Sequence, residues 1–131
     1  MNKEKELKPE VRLNGKVYRL RFDLWALEQI EQEFGGMREA FGAMTGGSGM
    51  VGAVRKLFKI LANCQRNMDG MPADVTGQEI TSHESMAKLL EISGAIRAAM
   101  NEGMKSETAD GGEASDKRKN PLDEEYDAKN A

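Results

Sequence analysis

The 131-residue chain has one cysteine, one histidine and no long apolar run, and each of these shortages excludes certain classes of protein. Its single cysteine, Cys64, excludes an intramolecular disulfide and is consistent with a reducing compartment. The single histidine, His83, has no second histidine or cysteine at metal-ligand spacing. No apolar run approaches the length of a membrane span, and residues 1–6 lack the hydrophobic stretch of a secretory signal. We therefore expect a soluble cytosolic protein.

Aromatic residues make up 5% of the chain and charged residues 31%, so any core must be small and mainly aliphatic. The net charge of −3 argues against a general binder of nucleic acids or anionic membranes. Residues 105–131 hold five positive and eight negative side chains and account for that entire net charge. Their composition offers too little apolar surface to offset the entropy of ordering the backbone. We predict a disordered acidic tail over residues 105–131 and a flexible arm over residues 1–9.

The first regular element predicted is a tight β-hairpin. Asn14 and Gly15 tolerate the positive φ angles of a type I′ turn. That turn places Leu13 opposite Lys16 and Val11 opposite Tyr18. One face then carries the apolar side chains and the other the basic ones: Val11, Leu13, Tyr18, Leu20 and Phe22 against Arg12, Arg19 and Arg21.

Helical patterns follow the hairpin. Asp23 is suited to cap a helix from Leu24 to Phe34, which Gly35 and Gly36 would end. Its expected apolar stripe is Ala26, Leu27, Ile30 and Phe34. A short helix is predicted over residues 37–44 and a longer one over residues 50–68. The apolar sector of the longer helix is wide, which predicts a central position between two neighbours. It comprises Met50, Ala53, Val54, Leu57, Phe58, Ile60, Leu61, Cys64 and Met68.

A loop over residues 69–81 precedes the last predicted helix. Two capping-box patterns, Thr76 with Glu79 and Thr81 with Glu84, are alternative starts for it. Gly94 is expected to lie off its apolar stripe, which is predicted to be Met86, Leu89, Leu90, Ser93, Ile96, Met100 and Met104. The fold class is therefore α+β, mostly α. We expect an N-terminal antiparallel hairpin followed by three to four helices, in one domain over residues 10–104.

No pattern in the sequence indicates catalysis. Cys64 falls on an apolar helical stripe, which is typical of a small core residue. Residues 46–49 are rich in glycine, but no Lys-Ser or Lys-Thr pair follows them as in a phosphate-binding loop. We predict a protein that is not an enzyme, with no catalytic residue, metal ligand or cofactor.

Three features suggest binding. Trp25 lies outside the stripe of its helix, so it either packs against the hairpin or a later helix or forms an exposed anchor. The polar face of the 50–68 helix is basic, which indicates a solvated face, an acidic partner or the chain's own acidic tail. Nine methionines suit either a core or an adaptable surface. The candidate partner-binding residues are Trp25, Arg55, Lys56, Lys59, Arg66, Met100 and Met104.

The opening of the chain resembles a known family. The residues that carry the resemblance lie between positions 11 and 35: Val11, Leu13, Asn14, Gly15, Lys16, Tyr18, Leu20, Phe22, Asp23, Ala26, Leu27, Ile30, Glu31, Phe34 and Gly35. This pattern is similar to that of the tail assembly chaperones of long-tailed bacteriophages and gene transfer agents. The resemblance extends over about residues 11–104 and is strongest in the first third.

The resemblance implies a role in virion morphogenesis in the host bacterial cytoplasm. Such chaperones bind and solubilise the tape measure protein until tail tube subunits assemble around it, and are absent from the mature virion. A programmed frameshift often makes a longer form that recruits the tail tube protein. Residues 119–120 or 129–130 could be encoded at such a frameshift site. Self-association is possible, and neither nucleic acid nor membrane is an expected partner.

Two other functions remain open from the sequence. One is a small tail or connector protein that is retained in the particle. The other is a DNA-binding regulator that uses the basic face of the 50–68 helix, although no aromatic residues accompany that face.

Overall fold

The computed structural model of the protein describes residues 8–105. Within this range a two-stranded antiparallel sheet precedes four helices. The strands are β1 (Glu10–Leu13) and β2 (Lys16–Arg19), and the helices are α1 (Leu24–Phe34), α2 (Met37–Met44), α3 (Met50–Met68) and α4 (Met86–Gly103). The predicted α+β, mostly α, class is confirmed. The predicted arm over residues 1–9 lies outside the described residues except for its last two, as does the predicted tail except for Lys105.

The hairpin has the predicted turn and register. Asn14 and Gly15 have φ angles of 50° and 80°, as a type I′ turn requires. Leu13 pairs with Lys16 and Val11 with Tyr18. The four strand-face residues Val11, Leu13, Tyr18 and Leu20 are buried, whereas Phe22 is half-buried. The inward face packs on the helices, where the rings of Tyr18 and Phe58 meet edge to face at 5.3 Å.

Helix α1 begins and ends at its predicted residues. The Asp23 carboxylate accepts a hydrogen bond from the Ala26 backbone N–H, so it caps the helix. Gly35 has a φ of 97°, and its N–H donates to the Glu31 carbonyl. Ala26 and Ile30 of the predicted stripe are buried, while Leu27 and Phe34 are half-buried.

Helix α3 occupies the centre of the fold, as its wide apolar sector predicts. It contacts α1, α2, α4 and β2, which is more neighbours than the two expected. Most of the predicted sector is buried, together with Ala62 and Asn63. Met50 is half-buried, and Met68 is 58% exposed because the last turn of α3 extends into solvent.

Helix α4 starts later than either capping box predicts. Its N-cap is Ser85, whose hydroxyl accepts a hydrogen bond from the Lys88 N–H. The Glu79 carboxylate does accept from the Thr76 N–H, but no helix follows. Ile80 is buried at 1% exposure, so the chain before Ser85 is used to cover the core and is not available for a helix.

The buried face of α4 also differs from the predicted stripe. Met86 and Leu90 are 61% and 53% exposed. Gly94, expected to lie off the stripe, is buried. The buried set is Leu89, Ile92, Ser93, Gly94, Ala95, Ile96, Ala99 and Met100. The reason is that α4 packs against both α3 and β1, so two neighbours rather than one cover it. No helix within residues 8–105 has the length and apolar character needed to cross a bilayer.

Candidate interaction surface

The arginines of α3 bind the chain itself. Arg55 donates from Nε to the Ile80 carbonyl oxygen at 2.8 Å. Arg66 Nη1 lies 3.2 Å from an Asp74 carboxylate oxygen and 3.4 Å from the Pro72 carbonyl oxygen. Both side chains therefore hold the segment between α3 and α4, residues 69–85, which we call the α3–α4 strap. That Arg55 and Arg66 also bind a partner stays a prediction.

A buried amide fixes the same strap at its centre. Asn63 donates from Nδ2 to the Val75 carbonyl oxygen at 2.9 Å, and its Oδ1 accepts from the Val75 N–H at 2.9 Å. The Asn63 side chain thus satisfies both backbone groups of one strap residue, in a site where water has little access. Sequence reasoning missed this contact. The available signal was a polar amide within an otherwise apolar helical sector.

The two lysines of the basic face remain at the surface. Lys59 is exposed, and it forms no ion pair among the described residues. The Lys56 ammonium lies 3.7 Å from a Glu33 carboxylate oxygen, and both side chains are about half exposed. Such an exposed pair contributes little to stability. Of the four predicted cations, Lys56 and Lys59 are exposed, whereas Arg55 and Arg66 are partly buried.

Among the large apolar side chains of residues 8–105, the one with the highest exposed fraction lies at the start of α1. Leu24 is 79% exposed and Trp25 37% exposed. A cavity of about 360 Å³ beside Leu24 is lined by that residue together with Phe22, Leu27, Arg21, Asp23, Glu102, Gly103 and Lys105. Trp25 is not among its lining residues. We call Phe22, Leu24, Trp25 and Leu27 the α1 patch. Trp25, which the sequence left between core and surface, is therefore accessible from solvent.

The end of α4 forms the opposite wall of this cavity. Gly103 and Lys105 line it, and Met104 between them is 62% exposed. Gly103 packs directly on Phe22, so closely that a Cβ atom at this position would overlap the Phe22 carbonyl oxygen. Met100 lies one turn earlier and has no exposed surface. The prediction that Met100 contacts a partner is therefore wrong, because the hairpin and α3 cover that face of α4.

A hydrogen-bonded cluster fixes the first turn of α1 beneath the patch. The Asp23 carboxylate accepts from the Cys64 thiol at 3.0 Å and lies 3.0 Å from Arg21 Nε. Partial burial opposes ionisation of Asp23, but hydrogen bonds from Cys64, Arg21 and Ala26 outweigh it and lower the pKa of this carboxyl. Burial, followed by the Asp23 carboxylate, raises the pKa of Cys64 to about 12. Cys64 is thus a neutral thiol that donates a hydrogen bond.

Further apolar side chains are exposed elsewhere on the described surface. Three of them are methionines, whose flexible thioethers adapt to partners of irregular shape. These positions are Val17, Val51, Met68, Met71, Met86 and Leu90. Within residues 8–105 no three histidine, cysteine or acidic side chains are grouped so that they could hold a metal ion. His83 is exposed.

Comparisons of the chain with protein-family models, with curated proteins and with solved structures find no match.

Proposed function

We propose that this chain is a tail assembly chaperone that binds and solubilises the tape measure protein during assembly of a phage tail in the bacterial cytoplasm. The single observation that carries the proposal is the α1 patch, a solvent-accessible apolar surface on a helix that packs against α2 and α3. The resemblance over residues 11–35 supplies the family. The chain acts by binding and has no catalytic step.

The chemistry of the patch suits an amphipathic helical partner. Leu24 presents an aliphatic side chain that is almost fully available, and Trp25 adds a rigid aromatic ring. The adjacent cavity is large enough to receive a partner side chain. A tape measure protein is long and helical, so each copy of the chaperone needs only a weak contact of this kind. Many copies along one partner then give a stable coat.

Trp25→Ala tests the proposal directly. We expect the substitution to reduce the affinity for a tape measure segment about 30-fold, as loss of an aromatic hot spot does. Isothermal titration calorimetry measures the affinity, and thermal unfolding verifies the fold. Val51→Ala is the matched control, because Val51 is 44% exposed but belongs to α3.

Equal affinities of the wild type, the Trp25 variant and the control would contradict the role of the patch.

Whether the protein is present in finished particles separates a chaperone from a structural tail component. We expect abundance in the lysate and absence from purified particles, and a stoichiometric presence in particles would favour the structural role. A longer form that recruits tail tube protein requires a slippery heptamer near codon 119 or 129, which the gene sequence reveals.

A further inference from the structure

The outer edge of β2 carries backbone groups that no strand pairs within the described residues. The Leu20 N–H donates a hydrogen bond to the Pro9 carbonyl oxygen. The alternation of an antiparallel pair then directs the backbone N–H and C=O groups of Lys16 and Tyr18 towards β1. Val17 and Arg19 consequently direct their backbone N–H and C=O groups away from the hairpin. An open edge of this kind is a template for a further extended segment.

A cleft lies along this edge. It has a volume of about 490 Å³ between β2 and the second half of α3. Val17 is 46% exposed on one side and Met71 49% exposed on the other. Arg19 adds an exposed cation, whereas Arg66 at the far side is already paired with Asp74. The remaining lining residues are Glu10, Tyr18, Ala62, Gln65 and Asp69.

The cleft continues towards the point where the described chain ends. A second cavity of about 430 Å³ shares Glu10, Arg19 and Gln65 with it. That second cavity shares four residues with the cavity beside the α1 patch, which Lys105 lines: Arg21, Phe22, Glu102 and Gly103. The three cavities are therefore neighbours on the surface between Lys105 and the edge of β2.

We propose that residues 122–127 of the same chain bind along the free edge of β2. Between residue 106 and the C-terminus, Leu122 and Tyr126 are the only large apolar residues. The acids Asp123, Glu124, Glu125 and Asp127 surround them. The exposed residues of the hairpin are complementary, since Arg12, Lys16 and Arg19 outnumber Glu10.

The spacing of this segment fits the edge in either direction. Alternate residues of a strand share a face, so Leu122, Glu124 and Tyr126 lie together. When Glu124 lies opposite Arg19, the residue opposite Val17 is Leu122 in a parallel arrangement and Tyr126 in an antiparallel one. Both arrangements join opposite charges and place an apolar side chain against Val17.

The connection is long enough. Sixteen residues, 106–121, separate Lys105 from Leu122, and they span up to about 50 Å when extended. A domain of this size is only about 30 Å across. Tethering also gives the segment an effective concentration of roughly millimolar, so a weak contact suffices for occupancy. The bound segment would cover an edge that could otherwise pair with other chains.

Backbone amide hydrogen exchange of the full chain tests this proposal. We expect the Val17 and Arg19 N–H groups to be protected in the wild type and to exchange about tenfold faster in the double variant Leu122→Ser, Tyr126→Ser. The Tyr18 N–H is the internal reference, because it faces β1 and should be unaffected. Ala114→Ser with Ala128→Ser is the control pair outside the segment.

Charge exchange provides a second measurement. Glu124→Arg and Arg19→Glu should each speed exchange of the Val17 N–H, and the two together should restore protection. Circular dichroism verifies that the exposed Arg19 variant folds.

The proposal is overturned if the backbone N–H groups of wild-type Val17 and Arg19 exchange as fast as loop amides. Protection that persists in the double serine variant overturns the proposal and indicates that residues 1–7 cover the edge. Protection that depends on protein concentration also overturns it and indicates that a second copy of the chain covers the edge. These outcomes are independent of the Trp25 test, which concerns a different surface.

Discussion

At the scale of single residues, Asp23 contacts both α1 and α3, whereas the sequence predicts only its role as the cap of α1. Its carboxylate caps α1, pairs with Arg21 and accepts the Cys64 thiol from α3. The capping function is visible in the sequence, because an aspartate precedes an apolar helical stripe. The contact with Cys64 is not, because the two residues are 41 positions apart and meet only in the folded chain.

The lowered pKa of Asp23 makes a prediction about acid stability. A carboxyl whose pKa is lower in the folded than in the unfolded state stabilises the fold above the unfolded value of 3.8. That stabilisation is lost as the pH falls below 3.8 and through the folded pKa. In Asp23→Asn, which retains a capping oxygen, we expect a smaller free energy of unfolding than in the wild type at pH 6. The difference should shrink as the pH falls below 3.8.

Urea unfolding monitored by circular dichroism between pH 2 and pH 7 measures this difference. Glu28→Gln is the control, since Glu28 is exposed on the same helix and its side chain forms no ion pair within residues 8–105. If the wild type still has the larger free energy of unfolding by the same amount at pH 2, the charge of Asp23 is not the source of the difference.

At the scale of elements, the α3–α4 strap shows where local patterns stop determining structure. The limits of β1, β2, α1, α2 and α3 follow from nearby residues, such as the turn at Asn14 and Gly15 or the stop at Gly35. The start of α4 does not. Two capping boxes precede Ser85, but contacts from Arg55 and Asn63 of α3 use that part of the chain as cover for the core.

The same contacts explain why part of the candidate surface could not be predicted. A helical wheel shows that Arg55 and Arg66 lie on a polar face, but it contains no information about the strap that covers this face. It likewise assigns Met100 and Met104 to one stripe, although β1 and α3 bury the first and the helix end exposes the second. Trp25 was ambiguous for a similar reason, since its exposure depends on which elements come near α1.

Asn63→Ala should reveal how much the strap depends on its central amide. The substitution leaves the Val75 N–H and C=O without partners in a buried site, which we expect to cost about 2–3 kcal/mol of unfolding free energy. Val75 amide exchange should also rise. The exposed Asn67 of the same helix provides the control Asn67→Ala. Equal unfolding midpoints for the two variants would show that the buried pair contributes no more than a surface amide.

At the scale of the whole molecule, the segment between the hairpin and α1 contacts the end of α4. Phe22, just after the hairpin, contacts Gly103 at the end of α4. All four helices and both strands also contribute to one hydrophobic core. The α1 patch therefore stands where the first and last elements are joined. Its geometry depends on the folding of the entire domain rather than on α1 alone.

Two glycine substitutions with opposite expected effects test whether the contact between Phe22 and Gly103 holds the hairpin and α4 together. Gly103→Ala places a methyl group against the Phe22 backbone, so α4 must shift, and we expect a loss of about 1–3 kcal/mol of unfolding free energy. Gly52→Ala, in α3 with no atom near the new methyl group, should instead gain about 0.5–1 kcal/mol through its higher helix propensity. Denaturant unfolding of both variants measures the two changes. Because Gly103 joins the hairpin to α4, Gly103→Ala should also alter the Trp25 fluorescence of the folded state, whereas Gly52→Ala should not. A stabilised Gly103 variant with wild-type fluorescence would show that the ends of the fold are not held together at this contact.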